Sequence, residues 1–193
     1  MIGCFARDLK NKSHQLQVAA LVYQASQPFY DLFTDDSTKI IIAIQGQFFM
    51  EHSELSDCWV LRQDGKVIGM HCAFPTKELP ERQMISVKGL IENFGLTESL
   101  FNKISDYRSL VGPLNLTQGN YLSRIGVPKD LRSQGLGSEL LRNFEKNHHG
   151  PYSLHVNQEN VSAIQFYEQR GYCFVPGSNT FEVRVMTKPS KMK

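Results

Sequence analysis

Apolar positions recur along this 193-residue chain in two rhythms, and the switches between them set out its elements. Leu16, Ala19, Ala20 and Tyr23 fall at helical spacing and predict a helix from Gln15, with Ser13 or His14 as its cap and Pro28 as its kink or end. Ile2 to Ala6 reads as a first strand, and Lys39 to Met50 as helix or strand, its repeated isoleucines favouring strand. Two apolar runs, Cys58 to Leu61 and Val67 to Ala73, flank Asp64-Gly65, the strongest short-range signal for a hairpin. Between Pro75 and Gly119 the rhythm turns helical twice. Met84, Val87, Leu90 and Ile91 predict one short helix; Leu100, Phe101, Ile104 and Tyr107, with Thr97 and Glu98 near the start, predict another. Asn120 to Val127 reads as strand, Gln134 to Lys146 as helix, Tyr152 to Val156 as strand and Asn160 to Arg170 as a helix closed by Gly171. Tyr172 to Val175 and Phe181 to Met186 predict a final antiparallel pair. His148-His149 before Gly150-Pro151 suits a solvated loop at a helix C-terminus better than a pair of metal ligands.

One stretch carries chemistry. Residues 127–138 read V-P-K-D-L-R-S-Q-G-L-G-S, between a predicted strand and a predicted helix. Gly135 and Gly137 let the backbone approach a ligand without a Cβ clash. The first turn of the following helix leaves amide N–H groups free, and its dipole favours an anion. Such a turn seats a phosphate, or else it is merely a tight strand-to-helix connection. The stretch lacks G-x-G-x-x-G and G-K-[ST], which argues against a dinucleotide fold or a P-loop.

A second stretch decides between them. Residues 154–173 read L-H-V-N-Q-E-N-V-S-A-I-Q-F-Y-E-Q-R-G-Y-C. Together the two resemble the GNAT superfamily of acyl-CoA-dependent N-acetyltransferases. Arg132, Gly135 and Gly137 match that family's Q/R-x-x-G-x-G/A pyrophosphate signature. Asn160, Ala163, Phe166, Tyr167, Gly171 and Tyr172 match its companion N-x-x-A-x-x-F-Y-x-x-x-G-F/Y. The resemblance covers roughly residues 57–187 and fits the N-terminal third loosely. It implies a mixed α/β (α+β) fold in which a mostly antiparallel sheet of about seven strands, flanked by helices, splays between its fourth and fifth strands. It favours helix for Lys39 to Met50. One N-acetyltransferase domain is expected over 1–187, with a helical insertion at about 76–118 that helps form the acceptor pocket, or else only packs.

The resemblance also implies the site. The turn of Arg132, Ser133, Gln134, Gly135, Leu136, Gly137 and Ser138 would hold the pyrophosphate of acetyl-CoA, and the strand carrying Ile125 and Val127 would pair with its pantetheine arm. Asn160 would contact the cofactor, cap its own helix, or both. Tyr167 would be the general acid for the leaving thiolate, a role that suits a phenol with an ordinary pKa near 10. The chain departs from many relatives in one respect: its fourth strand has no carboxylate to act as base. Water, Tyr121, Ser123, His155 and His71 remain as alternatives, and a weakly active or inactive acyl-CoA-binding regulatory module remains a second reading.

Charge and composition narrow the partners. A net charge of +2 with no dense basic stripe gives no reason to expect nucleic acid. The run Ile40 to Ile44 is too short to cross a bilayer, and the N-terminus lacks a signal-peptide layout, so no membrane is expected and the cytoplasm is. Cys4, Cys58, Cys72 and Cys173 are scattered, with no C-x-x-C pair, so reduced thiols and no metal are expected. The expected acceptor is an amine of a small molecule or peptide. A homodimer through the last strands remains open, and the basic tail 188–193 is expected to be disordered.

Overall fold

The computed structural model describes residues 1–115 and 118–190. In chain order the elements are β1 (Ile2–Phe5), α1 (Lys12–Ala25), α2 (Gln27–Tyr30), α3 (Ser37–Gln47), β2 (Cys58–Gln63), β3 (Lys66–Pro75), α4 (Leu79–Phe94), α5 (Glu98–Ser109), β4 (Asn120–Gly126), α6 (Leu136–Asn147), β5 (Tyr152–Asn157), α7 (Val161–Glu168), β6 (Cys173–Phe174) and β7 (Val183–Lys188). One seven-stranded sheet runs in the order β1-β2-β3-β4-β5-β7-β6. Every ladder between these strands is antiparallel except β4–β5. That parallel ladder is short, from Asn120↔Tyr152 to Leu122↔Leu154. Both strands continue past it, to Gly126 and Asn157, without pairing. The sheet therefore splits between its fourth and fifth strands.

Most elements fall where the apolar rhythm puts them, and the differences have local causes. Helix α1 is capped by Asn11, whose side chain accepts from Ser13 N–H, so neither Ser13 nor His14 is the cap. Pro28 opens the separate short helix α2, where a missing N–H costs nothing. Lys39 to Met50 is mostly helix: Asp36 accepts from the N–H groups of Thr38 and Lys39 and starts α3, and the isoleucines then point Ile40 and Ile44 into the core. Asp64 and Gly65 both take positive φ, 49° and 76°, as a type I′ hairpin turn requires. The two insertion helices are longer than short, at 16 and 12 residues; Leu116 and Thr117, within the predicted insertion, lie outside the described residues. The expectation of a disordered tail from 188 fails at its first residue. Lys188 closes β7, and its Nζ meets both carboxylate oxygens of Glu145 at 2.7 Å. Residues 191–193 lie outside the described residues.

Two cores sandwich the sheet. On one face α1 and α3 set Val18, Val22, Ile40 and Ile44 against Val60, Met70 and Cys72. On the other, Leu141 and Phe144 of α6 and Tyr167 of α7 pack over Leu122 and Leu154. His71 of β3 is buried on the α6 side, stacked on Trp59 at 5.3 Å, its Nε2–H donating to Asn143 at 3.0 Å. Burial, with His148 nearby, outweighs that hydrogen bond and pushes its pKa down to about 4. The sign follows directly: a histidine that titrates near 6.5 when unfolded and near 4 when folded must be neutral to stay inside. Its contribution is complete above pH 6.5 and is lost as the pH falls from there to about 4. Thermal midpoints measured across that window should fall less for His71→Gln than for the wild type.

A buried polar knot fixes the loop that enters β2. Arg82 of α4 donates from Nη1 to the Ser53 carbonyl (2.9 Å) and to Ser56 Oγ (3.0 Å), and pairs with Asp57 (2.8 Å) and Glu78 (2.9 Å). Ser86 Oγ accepts from Glu54 N–H at 2.8 Å, and Gln47 donates to the Ser86 carbonyl at 3.1 Å. Truncating a buried charge of this kind costs up to several kcal/mol; with both carboxylates about a third exposed, about 3 kcal/mol is expected. For Arg82→Met that is a drop in Tm of roughly 10 °C by calorimetry.

Candidate functional site

The split in the sheet opens into a cavity of about 1150 Å³, larger than a single small ligand needs. Its walls include Ser123 to Val127 from the unpaired part of β4 and beyond, and His155 to Asn157 from the unpaired part of β5. A bulge shapes the first wall. Cys72 pairs with Arg124 and Ala73 with Leu122, so Ser123 is the extra residue on β4. Beyond it, β4 presents backbone to the gap on its β5 side.

At one end of the cavity the chain turns from Val127 into α6. The turn is held open by its own backbone. Ser133 and Gly135 have φ of 63° and 82°, the second of them at the helix N-cap with no side chain capping it. A Cβ on Gly135 would meet nothing within 4 Å, so its environment is open space and its glycine answers to conformation. Gly137 answers to closeness instead: a Cβ there would come within 3.3 Å of the Phe166 ring on α7. Arg132 folds back, its Nε–H donating to the Val127 carbonyl at 3.3 Å. Arg170 lies over Phe166 at 3.9 Å and donates to Ser138 Oγ at 2.5 Å, bringing a second cation to the first turn of α6.

The structure brings Ile125, Val127, Arg132, Gly137, Asn160 and Tyr167 to the wall of this one cavity. Ser133, Gln134, Gly135, Leu136 and Ser138 lie on the same turn, beside Arg132 and Gly137, and are not themselves wall residues. Asn160 caps α7, accepting from Ala163 N–H at 3.1 Å, and is exposed at the cavity edge. Tyr167 is buried, and its hydroxyl has no hydrogen-bond partner among the described residues. Burial raises its pKa above the ordinary value near 10, so it stays protonated through the physiological range.

The other end lies under α1, α2, α4 and α5, with Leu21, Phe29, Met84, Ile91, Ile104 and Tyr107 among its walls. The residues considered as a base divide sharply here. Tyr121 and His155 are committed to each other: His155 Nε2–H donates to the Gly112 carbonyl at 2.8 Å, leaving Nδ1 to accept the Tyr121 hydroxyl at 2.9 Å. Ser123 donates to Glu54 at 3.0 Å. His71 lines a separate pocket of about 440 Å³ with Trp59 and Asn143. Two wall residues escaped the sequence reading, Glu54 and Arg124, whose charges lie 3.9 Å apart. Burial opposes the Arg124 charge, but Glu54, Tyr30 and Tyr121 around it hold its pKa above the ordinary value. Among the described residues no group of three or more His, Cys, Asp or Glu side chains is placed to hold a metal.

A strand split, with a glycine turn and a helix N-terminus at its mouth, is the arrangement that the resemblance to the GNAT superfamily implies. Known proteins agree. A family model for the acetyltransferase (GNAT) domain matches residues 80–189, more than half of the chain. A search of curated proteins returns no match. Among solved structures, one described as an acetyltransferase aligns over 99% of this chain and 100% of its own, with a TM-score of 0.70 at 18% identity. An N-acetyltransferase from Staphylococcus aureus Mu50 aligns over 92% of this chain and 96% of its own, at 0.65 and 16%. Chaetomium thermophilum Naa20 in complex with a bisubstrate analogue aligns over 98% and 86%, at 0.53 and 17%. The chain belongs to the GNAT acetyltransferase family.

Proposed function

We propose that the protein is an N-acetyltransferase that carries the acetyl group of acetyl-CoA directly to a primary amine within a ternary complex. The observation that carries this reading is the single cavity running from the α6 turn, through the β4–β5 split, to Tyr167 and the chamber under α4 and α5. When bound, acetyl-CoA supplies the activated acyl carbon. The residues fit it. The α6 first turn offers uncapped N–H donors and a favourable dipole to a pyrophosphate, and Arg132 and Arg170 add positive charge there. Ile125 and Val127 offer backbone to the pantetheine arm along the unpaired side of β4. One β4 amide aimed at the thioester carbonyl would stabilise the developing oxyanion by about 3 kcal/mol. Asn160 caps α7 and, at the cavity wall, would contact the arm. Tyr167 gives its proton to the departing sulfur. The similarly folded Naa20 is solved with a bisubstrate analogue, which favours a ternary complex as the reading for this chain.

Calorimetric titration with acetyl-CoA, followed by a free-thiol assay over a panel of arylalkylamines, polyamines, aminosugars and oligopeptides, tests the reading. Saturable binding and amine-dependent thiol release are expected. A protein that binds no acetyl-CoA refutes the function; one that binds it and releases no thiol with any amine is a regulatory acyl-CoA-binding module.

A further inference from the structure

The buried acid that β4 lacks in sequence is supplied in space by Glu54, which the chain places sixty-nine residues before Ser123. Glu54 is 6% exposed. One of its oxygens accepts the Ser123 hydroxyl at 3.0 Å, at the bulge of β4. Its other oxygen has no hydrogen-bond partner among the described residues, and the side chain lines the cavity. A buried carboxylate with a free oxygen facing a cavity is costly unless something cationic meets it. Arg124 Nη1 forms an ion pair at 3.9 Å with the oxygen that Ser123 already holds and gives its hydrogen bonds to Ser123, so it offsets part of the charge and leaves the other oxygen open to the cavity. The knot of Gln47, Ser53, Ser56, Arg82 and Ser86 has no catalytic atom, yet it holds the backbone of this loop on both sides of Glu54. Buried polar groups so completely satisfied make a rigid support.

Resting on the acetyltransferase reading above, we propose that Glu54 is the group that receives the acceptor's ammonium and takes its proton, and that the acceptor is a small primary monoamine on an apolar or aromatic body. The amine class follows from the walls around Glu54. Leu21, Phe29, Met84, Ile91 and Ile104 are apolar, Tyr107 is aromatic, Lys88, Arg108 and Arg124 are cationic, and Glu54 is the buried carboxylate among the wall residues. The other acidic wall residue, Glu182, is exposed on the β7 side. A polyamine's further ammonium groups would therefore find apolar or cationic walls, and would lose water without gaining a buried carboxylate as partner.

The step balances as follows. Glu54 takes one N–H proton from the ammonium, and the lone pair so freed forms the C–N bond to the acyl carbon. The C–S bond breaks and Tyr167 gives its hydroxyl proton to the sulfur. The second proton lost by the nitrogen returns to Tyr167 through water, and Glu54 passes its own to solvent.

The test uses Glu54→Gln, which keeps the size of the side chain and an oxygen to accept from Ser123. With phenethylamine as acceptor, kcat/KM should fall about 100-fold, the size of a general-base contribution, while calorimetric acetyl-CoA affinity stays within about twofold. Phenethylamine alone should raise the Tm of the wild type and not of Glu54→Gln, a readout independent of turnover. If the lone Arg124 charge unfolds Glu54→Gln, the double variant with Arg124→Gln removes both charges and is read against Arg124→Gln alone. The proposal is overturned if the Glu54 change leaves phenethylamine turnover within about threefold. It is also overturned if spermidine or an oligopeptide is acetylated in preference to phenethylamine. Failure of the wild type to bind acetyl-CoA would instead remove the reading on which it rests.

Discussion

Tyr167→Phe should lower kcat by about 100- to 1000-fold, the range of a lost general acid, with acetyl-CoA affinity unchanged within about threefold. The hydroxyl of Tyr167 stands without a partner among the described residues, at the wall of the cavity, on a ring otherwise packed against Tyr172 and Phe166. Removing a hydroxyl that bonds nothing leaves no orphaned donor or acceptor behind. Stability should therefore hold or rise slightly, which separates this variant from one that fails by unfolding. The same burial that raises the phenol's pKa keeps it a donor, so wild-type kcat should show no alkaline limb from this group below pH 10. Steady-state thiol release from pH 6 to pH 10, beside calorimetry and a thermal melt, checks all three points. Unchanged kcat in the phenylalanine variant would move the proton to water and leave Tyr167 a packing residue.

Much of the candidate site was legible because its parts are local. The stretch 127–138 is twelve consecutive residues, and its spacing marks two glycines for close approach or positive φ; the structure gives the positive φ to Gly135 and sets Gly137 against the Phe166 ring. Asn160 and Tyr167 follow from one short helix. The sheet split is different in kind. It depends on where a parallel ladder stops, at Leu122↔Leu154, and nothing in the alternation of β4 or β5 marks that point; only the resemblance foretold it. Glu54 was illegible for a physical reason. It lies in the loop between α3 and β2, with no periodicity, and reaches the site only because Arg82 and Ser86 of α4 pin that loop from the far side of the sequence. Reading β4 for a carboxylate found none, because the acid that meets Ser123 comes from outside the strand. His155 misled in the opposite direction. On a strand facing the cavity it suggests a base, but both of its ring nitrogens are taken, by Gly112 and Tyr121. Lys188 was misassigned to a free tail because six residues rich in lysine look alike, whereas Glu145 selects the first of them.

Gly135→Asp should weaken acetyl-CoA binding at least about 100-fold, which is roughly 2.7 kcal/mol. Three terms act at this residue and can be separated. The first is backbone: φ is 82°, a region that asparagine and aspartate tolerate better than other side chains, so either should fold. The second is space. Among the described residues no atom lies within 4 Å of a Cβ placed there, so any clash would be with the pyrophosphate, and that clash is common to aspartate and asparagine. The third is charge, which only aspartate brings, beside N–H groups that would otherwise face the phosphates. Asn and Asp have nearly the same shape. The difference in acetyl-CoA affinity between Gly135→Asn and Gly135→Asp therefore reads the charge alone, and the loss in Gly135→Asn reads strain and space. Added salt should narrow the gap between the two, since an exposed turn is screened within about 10 Å at 0.1 M. Equal, wild-type affinity in both variants would mean that the phosphates sit away from this turn. A loss confined to aspartate would place them against the α6 N-terminus by electrostatics, with the glycine needed neither for its φ nor for its size.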